Sequence, residues 1–357
     1  MIRLSSVIEQ FETHFRQRYG KRLLPSQGKA LAAIKSCRSH YSPLMQAHCE
    51  SCDNDQYFPH SCGNRHCPHC QHHESQQWLE NQGRKQVPAR YFMVTFTVPA
   101  QLRPLFFRHQ RQCYSRLFDC AWDTLQTFSQ NDKKLNGTPG AIAVLHTHSR
   151  SLAYHPHVHV LIPAGAIDKV NRLWREKQSK YLFSHKALAK VFRAKLLKAI
   201  VEEQLPLPDD CPKQWVVDCK SVGSGESALV YLGRYLYRGV IQEKDILSCQ
   251  DGKVTFRYID SKTERYQYRT ICGADFLWLV LQHVLPRGFR RARNYGFLHP
   301  NSKTLIRLLT LVFHFDPARF LKKHKPRPQL LCAGCGHPMR IVKTRIGRFT
   351  RQVPAPG

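Results

Sequence analysis

The segment Tyr154-His155-Pro156-His157-Val158-His159-Val160-Leu161-Ile162 constrains the fold more than any other part of the chain. In an extended strand, successive side chains point to opposite faces of the sheet. His157 and His159 therefore share one face, while Val158 and Val160 point into a core on the other. Two imidazoles about 7 Å apart along one strand face can converge on a single divalent ion. Such an ion polarises a phosphodiester without itself forming the nucleophile. A third ligand is needed. His146 lies on the preceding predicted strand, near Ala141 to Thr147, and an antiparallel hairpin brings it beside the pair. His148 and His155 are the alternatives.

A second pattern lies further along. Ser224 to Gly239 reads as a helix with Ser near its start, Gly at its end and an apolar stripe of Leu229, Leu232 and Leu236. Tyr231 and Tyr235 are four apart and so stack on one face, which Arg238 continues. A tyrosine hydroxyl can attack phosphorus and conserve the bond energy as a phosphotyrosine. Arg234 and Arg238 are placed to hold flanking phosphates.

The partner is indicated by charge. With 55 Lys and Arg against 25 Asp and Glu, the chain carries a formal net charge of +30. An excess of that size repels itself unless a polyanion is present, and nucleic acid is the natural counter-charge. An anionic membrane is the rival, but no segment resembles a signal peptide or a membrane span. The expectation is an intracellular protein facing nucleic acid. Arg287, Arg290, Arg291 and Arg293 form a basic segment suited to phosphate contact. Its neighbours Phe289, Tyr295 and Phe297 are candidates for stacking on unpaired bases.

Of the 14 cysteines, six lie between Cys37 and Cys70. Cys49-x-x-Cys52 and Cys67-x-x-Cys70 have the spacing of two zinc knuckles, and two such turns complete one tetrahedral shell. Structural Zn²⁺ held by Cys49, Cys52, Cys67 and Cys70 is the first expectation. Cys37, Cys62 and His66 leave room for a second ion. Cys332-x-x-Cys335 is a lone knuckle that either stays unmetallated or is completed from elsewhere.

The chain divides into four sections on this reading. Residues 1–87 hold a helix (Val7 to Tyr19) and the cysteine cluster. Residues 88–245 form a catalytic core, with a strand at Tyr91 to Val98, a long helix from Leu105 to Phe128, the His strand, a helix at Lys186 to Glu203 and the Tyr helix. Residues 246–325 contain a β-hairpin (Lys253 to Tyr258, Arg265 to Thr270), a helix and the basic loop. Residues 326–357 form a tail that carries the last Cys-x-x-Cys and is expected to be loosely structured after it.

Taken together, these motifs resemble the rolling-circle transposases of the insertion-sequence-91 type. The resemblance rests on Ser61-Cys62-Gly63-Asn64-Arg65-His66-Cys67-Pro68-His69-Cys70, Phe96-Thr97-Val98-Pro99, Leu145-His146-Thr147 leading into the His strand, Tyr231-Leu232-Gly233-Arg234-Tyr235, and Val284-Leu285-Pro286-Arg287-Gly288-Phe289 with Tyr295-Gly296-Phe297. It implies an α+β fold, in which a small zinc-binding domain precedes a HUH-endonuclease core of antiparallel sheet with flanking helices. "HUH" stands for His157, Val158 and His159. The resemblance implies cleavage of single-stranded DNA at element ends and transfer to target DNA through a 5′-phosphotyrosine intermediate, with Tyr231 and Tyr235 as the two nucleophiles. Mg²⁺ or Mn²⁺ is the expected ion on His157 and His159. His146 is the expected third ligand, because related conjugative relaxases also place a His one hairpin upstream of the pair. The expected setting is the bacterial cytoplasm, associated with the nucleoid. Two alternatives stay open: a plasmid replication initiator or relaxase of the same chemistry, and a non-catalytic zinc-dependent nucleic-acid-binding protein.

Overall fold

The computed structural model describes every residue except 1, 71, 172, 238, 261–262, 315–328 and 348–357. The N-terminal part runs α1 (Leu4–Tyr19), α2 (Pro25–Lys35), β1 (Leu44–Cys49), β2 (Asn54–Pro59) and α3 (His72–Gly83). Then come β3 (Tyr91–Thr97), α4 (Arg103–Arg108), α5 (Gln110–Asn131), β4 (Thr138–His148), β5 (Tyr154–Pro163), β6 (Gly165–Asp168), β7 (Leu173–Glu176), α6 (His185–Glu202), β8 (Val217–Ser221) and α7 (Glu226–Tyr237). The chain continues through β9 (Ile246–Gln250), β10 (Lys253–Ile259), β11 (Tyr266–Cys272), α8 (Gly273–Leu281), β12 (Ala292–Gly296), α9 (Lys303–Val312) and β13 (Arg340–Ile346). Among the described residues, no helix is long and apolar enough to cross a membrane.

The centre is a seven-stranded sheet in the order β7-β6-β4-β5-β3-β8, with β12 added along β4. Every pairing in it is antiparallel. Alternation then divides the side chains. Val158 and Val160 of β5, with Val94 and Phe96 of β3 and Ala143 and Leu145 of β4, face a core built with α5 and α6. Ile142 and Val144 of β4 and Leu161 of β5 face the other way, onto Leu229, Leu232 and Leu236 of α7. The imidazoles His146, His157 and His159 have the parity of this second face. The fold class expected from the sequence is the one observed, a mixed α/β body with an antiparallel sheet and flanking helices.

Other expectations need correction. The single helix across Leu105 to Phe128 is two helices, because His109 leaves helical geometry at φ −115° and ψ 46°. Apolar packing also crosses the boundaries of the four chain sections. One apolar cluster joins Val7, Phe11, Phe15 and Leu31 near the N-terminus to Val254, Phe256, Phe276 and Leu277. The helix α1 is amphipathic and needs a partner for its apolar face, and α8 supplies one from far downstream in the chain. The tail is not loose throughout, since β13 pairs with β1 to complete a sheet of order β13-β1-β2. The segment Arg287 to Arg293 is only partly a loop, because Ala292–Gly296 is a strand on β4.

Candidate active site

Register fixes the histidines. Across β4 and β5, His146 stands directly opposite His157, and His159 stands opposite Val144. On the far side of β5, Thr95 of β3 is opposite His159. The ring centroids of His146 lie 5.2 Å from His157 and 4.2 Å from His159, and those of His157 and His159 are 4.9 Å apart. One ligand nitrogen from each ring falls within 4.8 Å of the others. The separation suits three ligands turned toward one ion.

The hydrogen bonds orient the rings. Nδ1 of His157 is 2.6 Å from the carbonyl of His155, and Nδ1 of His159 is 2.9 Å from Oγ1 of Thr95. The His155 carbonyl can only accept, so His157 Nδ1 carries the proton and its Nε2 lone pair is left for a metal. His146 is buried, and among the described residues neither of its ring nitrogens has a hydrogen-bond partner. A buried polar atom without a partner is costly and calls for an explanation. A metal ligand is one such explanation, and the donor set fits a divalent ion. Burial holds His146 well below its ordinary range, with His159 and His157 adding to the effect. Burial also lowers His157 to about 3 and His159 to about 4. All three imidazoles are therefore neutral at pH 7, the form that can coordinate.

The two alternative ligands are turned away. A register shift between His146 and His148 re-aims His148, which stacks on Tyr235 and neighbours His283. His155 accepts from the guanidinium of Arg103 at 2.6 Å through Nδ1, which leaves its proton on Nε2.

Over this cluster lies α7. Tyr231 is 47% exposed, with its ring centroid 6.1 Å from His146 and 6.0 Å from His159. Tyr235 lies flat on His146, and its hydroxyl donates to the carbonyl of His148 at 3.0 Å. Burial raises the pKa of both tyrosines. Gly233 between them lets α7 approach α3, since a Cβ there would come 2.6 Å from Cδ2 of Leu79. A cleft of about 1010 Å³ opens from the cluster, lined by His146, His157, Tyr231, Arg234 and Tyr235 on one side and by Arg257 and Tyr266 of the β10–β11 hairpin on the other.

A family model described as a putative transposase matches residues 140–304, and another described as a transposase zinc-binding domain matches residues 7–98. The putative transposase y4qJ of Sinorhizobium fredii (strain NBRC 101917 / NGR234) is 30% identical over 299 residues, which span 77% of this chain and 75% of that protein. The chain belongs to the rolling-circle transposases of the insertion-sequence-91 type. The transposase for insertion sequence element IS801 of Pseudomonas savastanoi pv. phaseolicola is 30% identical over 271 residues, spanning 70% of this chain and 64% of that protein. Among solved structures, the conjugative relaxase TrwC in complex with mutant OriT DNA covers 35% of this chain and 48% of that one, at 15% identity and a TM-score of 0.27. That likeness is partial.

The zinc-binding domain of the transposase is assembled differently from the sequence expectation. Cys67 and Cys70 do not join Cys49 and Cys52. They cluster with Cys37 and Cys62, the sulfurs of Cys37 and Cys70 being 3.4 Å apart and those of Cys62 and Cys70 3.6 Å apart. Zinc–thiolate bonds of about 2.3 Å in a tetrahedron put sulfurs about 3.8 Å apart, whereas a disulfide needs about 2.05 Å. Cys49 and Cys52 instead meet Cys332 and Cys335. His66, the other expected ligand, is outside both clusters. It is buried and accepts the amide of Leu285 at 3.3 Å, because the end of α2 delivers Cys37 as the fourth thiol.

The basic segment also divides. Arg287 and Arg290 are exposed, and Arg234 is exposed at the cleft. Arg291 is not a phosphate contact in this arrangement. Its guanidinium donates to the carbonyls of Leu145 and Leu236 and lies 5.4 Å from the Tyr235 ring. Arg293 pairs with Asp119. Phe289 and Phe297 are core residues and Tyr295 stacks on Trp122, so none is free to receive a base. Arg238 lies outside the described residues. Sequence reasoning missed Thr95 and Arg65. The guanidinium of Arg65 donates to the carbonyls of Pro286 and Phe289, tying the zinc-binding loop to the C-terminal signature.

Proposed function

We propose that this transposase cleaves single-stranded DNA at the element end through Tyr231, with a divalent ion on His146, His157 and His159. The observation that carries the reading is His146, buried with two unpaired nitrogens, facing the other two imidazoles beneath the exposed ring of Tyr231. Mg²⁺ or Mn²⁺ bound there would withdraw charge from the non-bridging oxygens of the scissile phosphate. The hydroxyl oxygen of Tyr231 forms the new bond to phosphorus. The bond from phosphorus to the 3′ oxygen breaks, and the leaving 3′ oxygen takes a proton from water to give a free 3′-OH. The phenolic proton passes to water, which reaches Tyr231 because its ring is open to the cleft. Arg234 holds a flanking phosphate at the cleft wall. Tyr235 is the second nucleophile, released from the His148 carbonyl when the first strand is esterified. The same reading puts the enzyme at bacterial DNA in the cytoplasm, associated with the nucleoid.

Divalent-ion titration of nicking tests the proposal. Wild-type protein stripped of exchangeable metal should nick a single-stranded end oligonucleotide only after Mg²⁺ or Mn²⁺ is restored. His146→Ala and His157→Ala should lose nicking at every ion concentration and still bind the oligonucleotide. Full activity of either variant in chelator would overturn the metal assignment.

A further inference from the structure

We infer that Cys49, Cys52, Cys332 and Cys335 hold a second zinc ion, which clasps the C-terminal strand to the N-terminal hairpin. The four sulfurs form one cluster, with Cys49 to Cys335 at 3.4 Å and Cys52 to Cys332 at 3.6 Å. Each distance is short of the tetrahedral edge of a zinc–thiolate site by only a few tenths of an ångström, and far beyond a disulfide. Cys332 and Cys335 lie outside both stretches that match the family models, so the site draws half its ligands from beyond the recognised zinc-binding domain.

Local structure is built for the ion. Cys49 ends β1, and Cys52 sits in the turn before β2. On the other side, the amide of Cys332 donates to the carbonyl of His337, and the amide of Gly336 donates back to the carbonyl of Cys332. Gly336 closes that knuckle at φ 73°, a conformation that glycine adopts without steric cost. Nε2 of Gln56 points at Sγ of Cys332 from 3.8 Å, a donor aimed at a sulfur that bears negative charge when metallated.

The packing shows why an ion is needed. Among the described residues, the apolar cluster at the sheet β13-β1-β2 is small: Ala47, Cys49, Cys332 and Met339 are buried, with Phe58 and Leu330 partly buried against them. On β13, six of seven residues are exposed. Three strands without a real apolar face are not stable in water by themselves. Metal binding to thiolates supplies folding free energy that the core does not. Each cluster has two buried thiols, but the other two are exposed in the clasp, Cys52 and Cys335, and only half-buried in the first cluster, Cys62 and Cys70. The clasp is therefore the site that yields its zinc first to a chelator.

The test is zinc counting on the full chain with paired variants. Wild-type protein, purified reduced, should carry two zinc ions. Cys332→Ser with Cys335→Ser should carry one, Cys49→Ser with Cys52→Ser should carry one, and the four changes together should still leave one. Hydrogen exchange should show β13 and β1 losing protection in each variant, while β4 and β5 keep theirs. A Cys332/Cys335 variant that keeps the wild-type zinc count would overturn the clasp, as would wild-type protein with a single zinc. If the Cys49/Cys52 pair served the first cluster instead, its loss would lower the zinc count and the loss of Cys332 and Cys335 would not. Should the Cys49/Cys52 variant fail to fold, the Cys332/Cys335 pair, whose removal touches only the satellite sheet, decides the matter alone.

Discussion

The ring of Tyr235 lies against that of His146, with centroids 3.3 Å apart and planes 3° from parallel. Tyr231, one helical turn earlier, leans over the same histidine from 6.1 Å and stays open to the cleft. Two tyrosines that look equivalent in sequence therefore stand in different states. One is open to the cleft, and the other is stacked on His146 with its hydroxyl engaged.

Tyr231→Phe should abolish cleavage of a single element end. Tyr235→Phe should leave that first cleavage close to wild type and block the second transfer step. Its cost in stability should be about 1 kcal/mol, the worth of the one hydrogen bond to His148. Gel assays on one-end and two-end substrates separate these outcomes.

Gly233→Ala should destabilise the protein although alanine is the better helix former. The helical gain is about 1 kcal/mol, and the added methyl meets Leu79 at 2.6 Å, an overpacking that costs about 1–3 kcal/mol. Leu79→Ala in the same chain should relieve part of the loss. Denaturant unfolding of the two single variants and the double variant measures the coupling.

Arg287→Ala with Arg290→Ala should flatten the salt dependence of single-stranded DNA binding, by roughly 0.7 per lost phosphate contact. Arg291→Lys should instead lower stability by about 1–3 kcal/mol, because it loses the carbonyls of Leu145 and Leu236. Binding titrations across salt, paired with thermal melts, distinguish the exposed arginines from the one whose guanidinium is engaged by backbone carbonyls.

Acid should unfold the transposase early. Burial pushes His283 down to about 3, while in the unfolded chain it titrates near 6.5. A base with a depressed folded pKa contributes stability that is complete above pH 6.5. That contribution is lost as pH falls from 6.5 toward 3, at about 1.4 kcal/mol per pH unit for the one group. Replacing His283 by Gln should make the fall of stability across pH 6 to 4 shallower, as read by urea unfolding at each pH. An unchanged slope would show that His283 is not held neutral.

Much of the local structure was legible because it rests on period. The His strand and the Tyr helix carry repeats of two and of 3.6, and both form where the pattern puts them. The partners of distant segments were not legible. Cys-x-x-Cys spacing identifies half of a zinc site and says nothing about which half joins which, so spacing alone pairs Cys49 and Cys52 with the nearer knuckle. Charge likewise does not reveal exposure. Arg290 and Arg291 are neighbours in sequence, yet one faces water and the other ties β4 to α7. The strand Ala292–Gly296 is short and has no apolar alternation. It exists because the edge of β4 offers unpaired backbone groups, a cause visible only in three dimensions.

Mapping the protein–DNA adduct tests the central claim most directly. The transposase would be incubated with Mn²⁺ and a single-stranded oligonucleotide containing the element end, then digested with protease and sequenced by mass spectrometry. The expected product is a peptide joined through Tyr231 to the 5′ phosphate of the cleaved strand, with a free 3′-OH on the other fragment. Nicks that carry a free 5′ phosphate and no peptide, formed equally well when Tyr231 and Tyr235 are both Phe, would show that water is the nucleophile and contradict the claim.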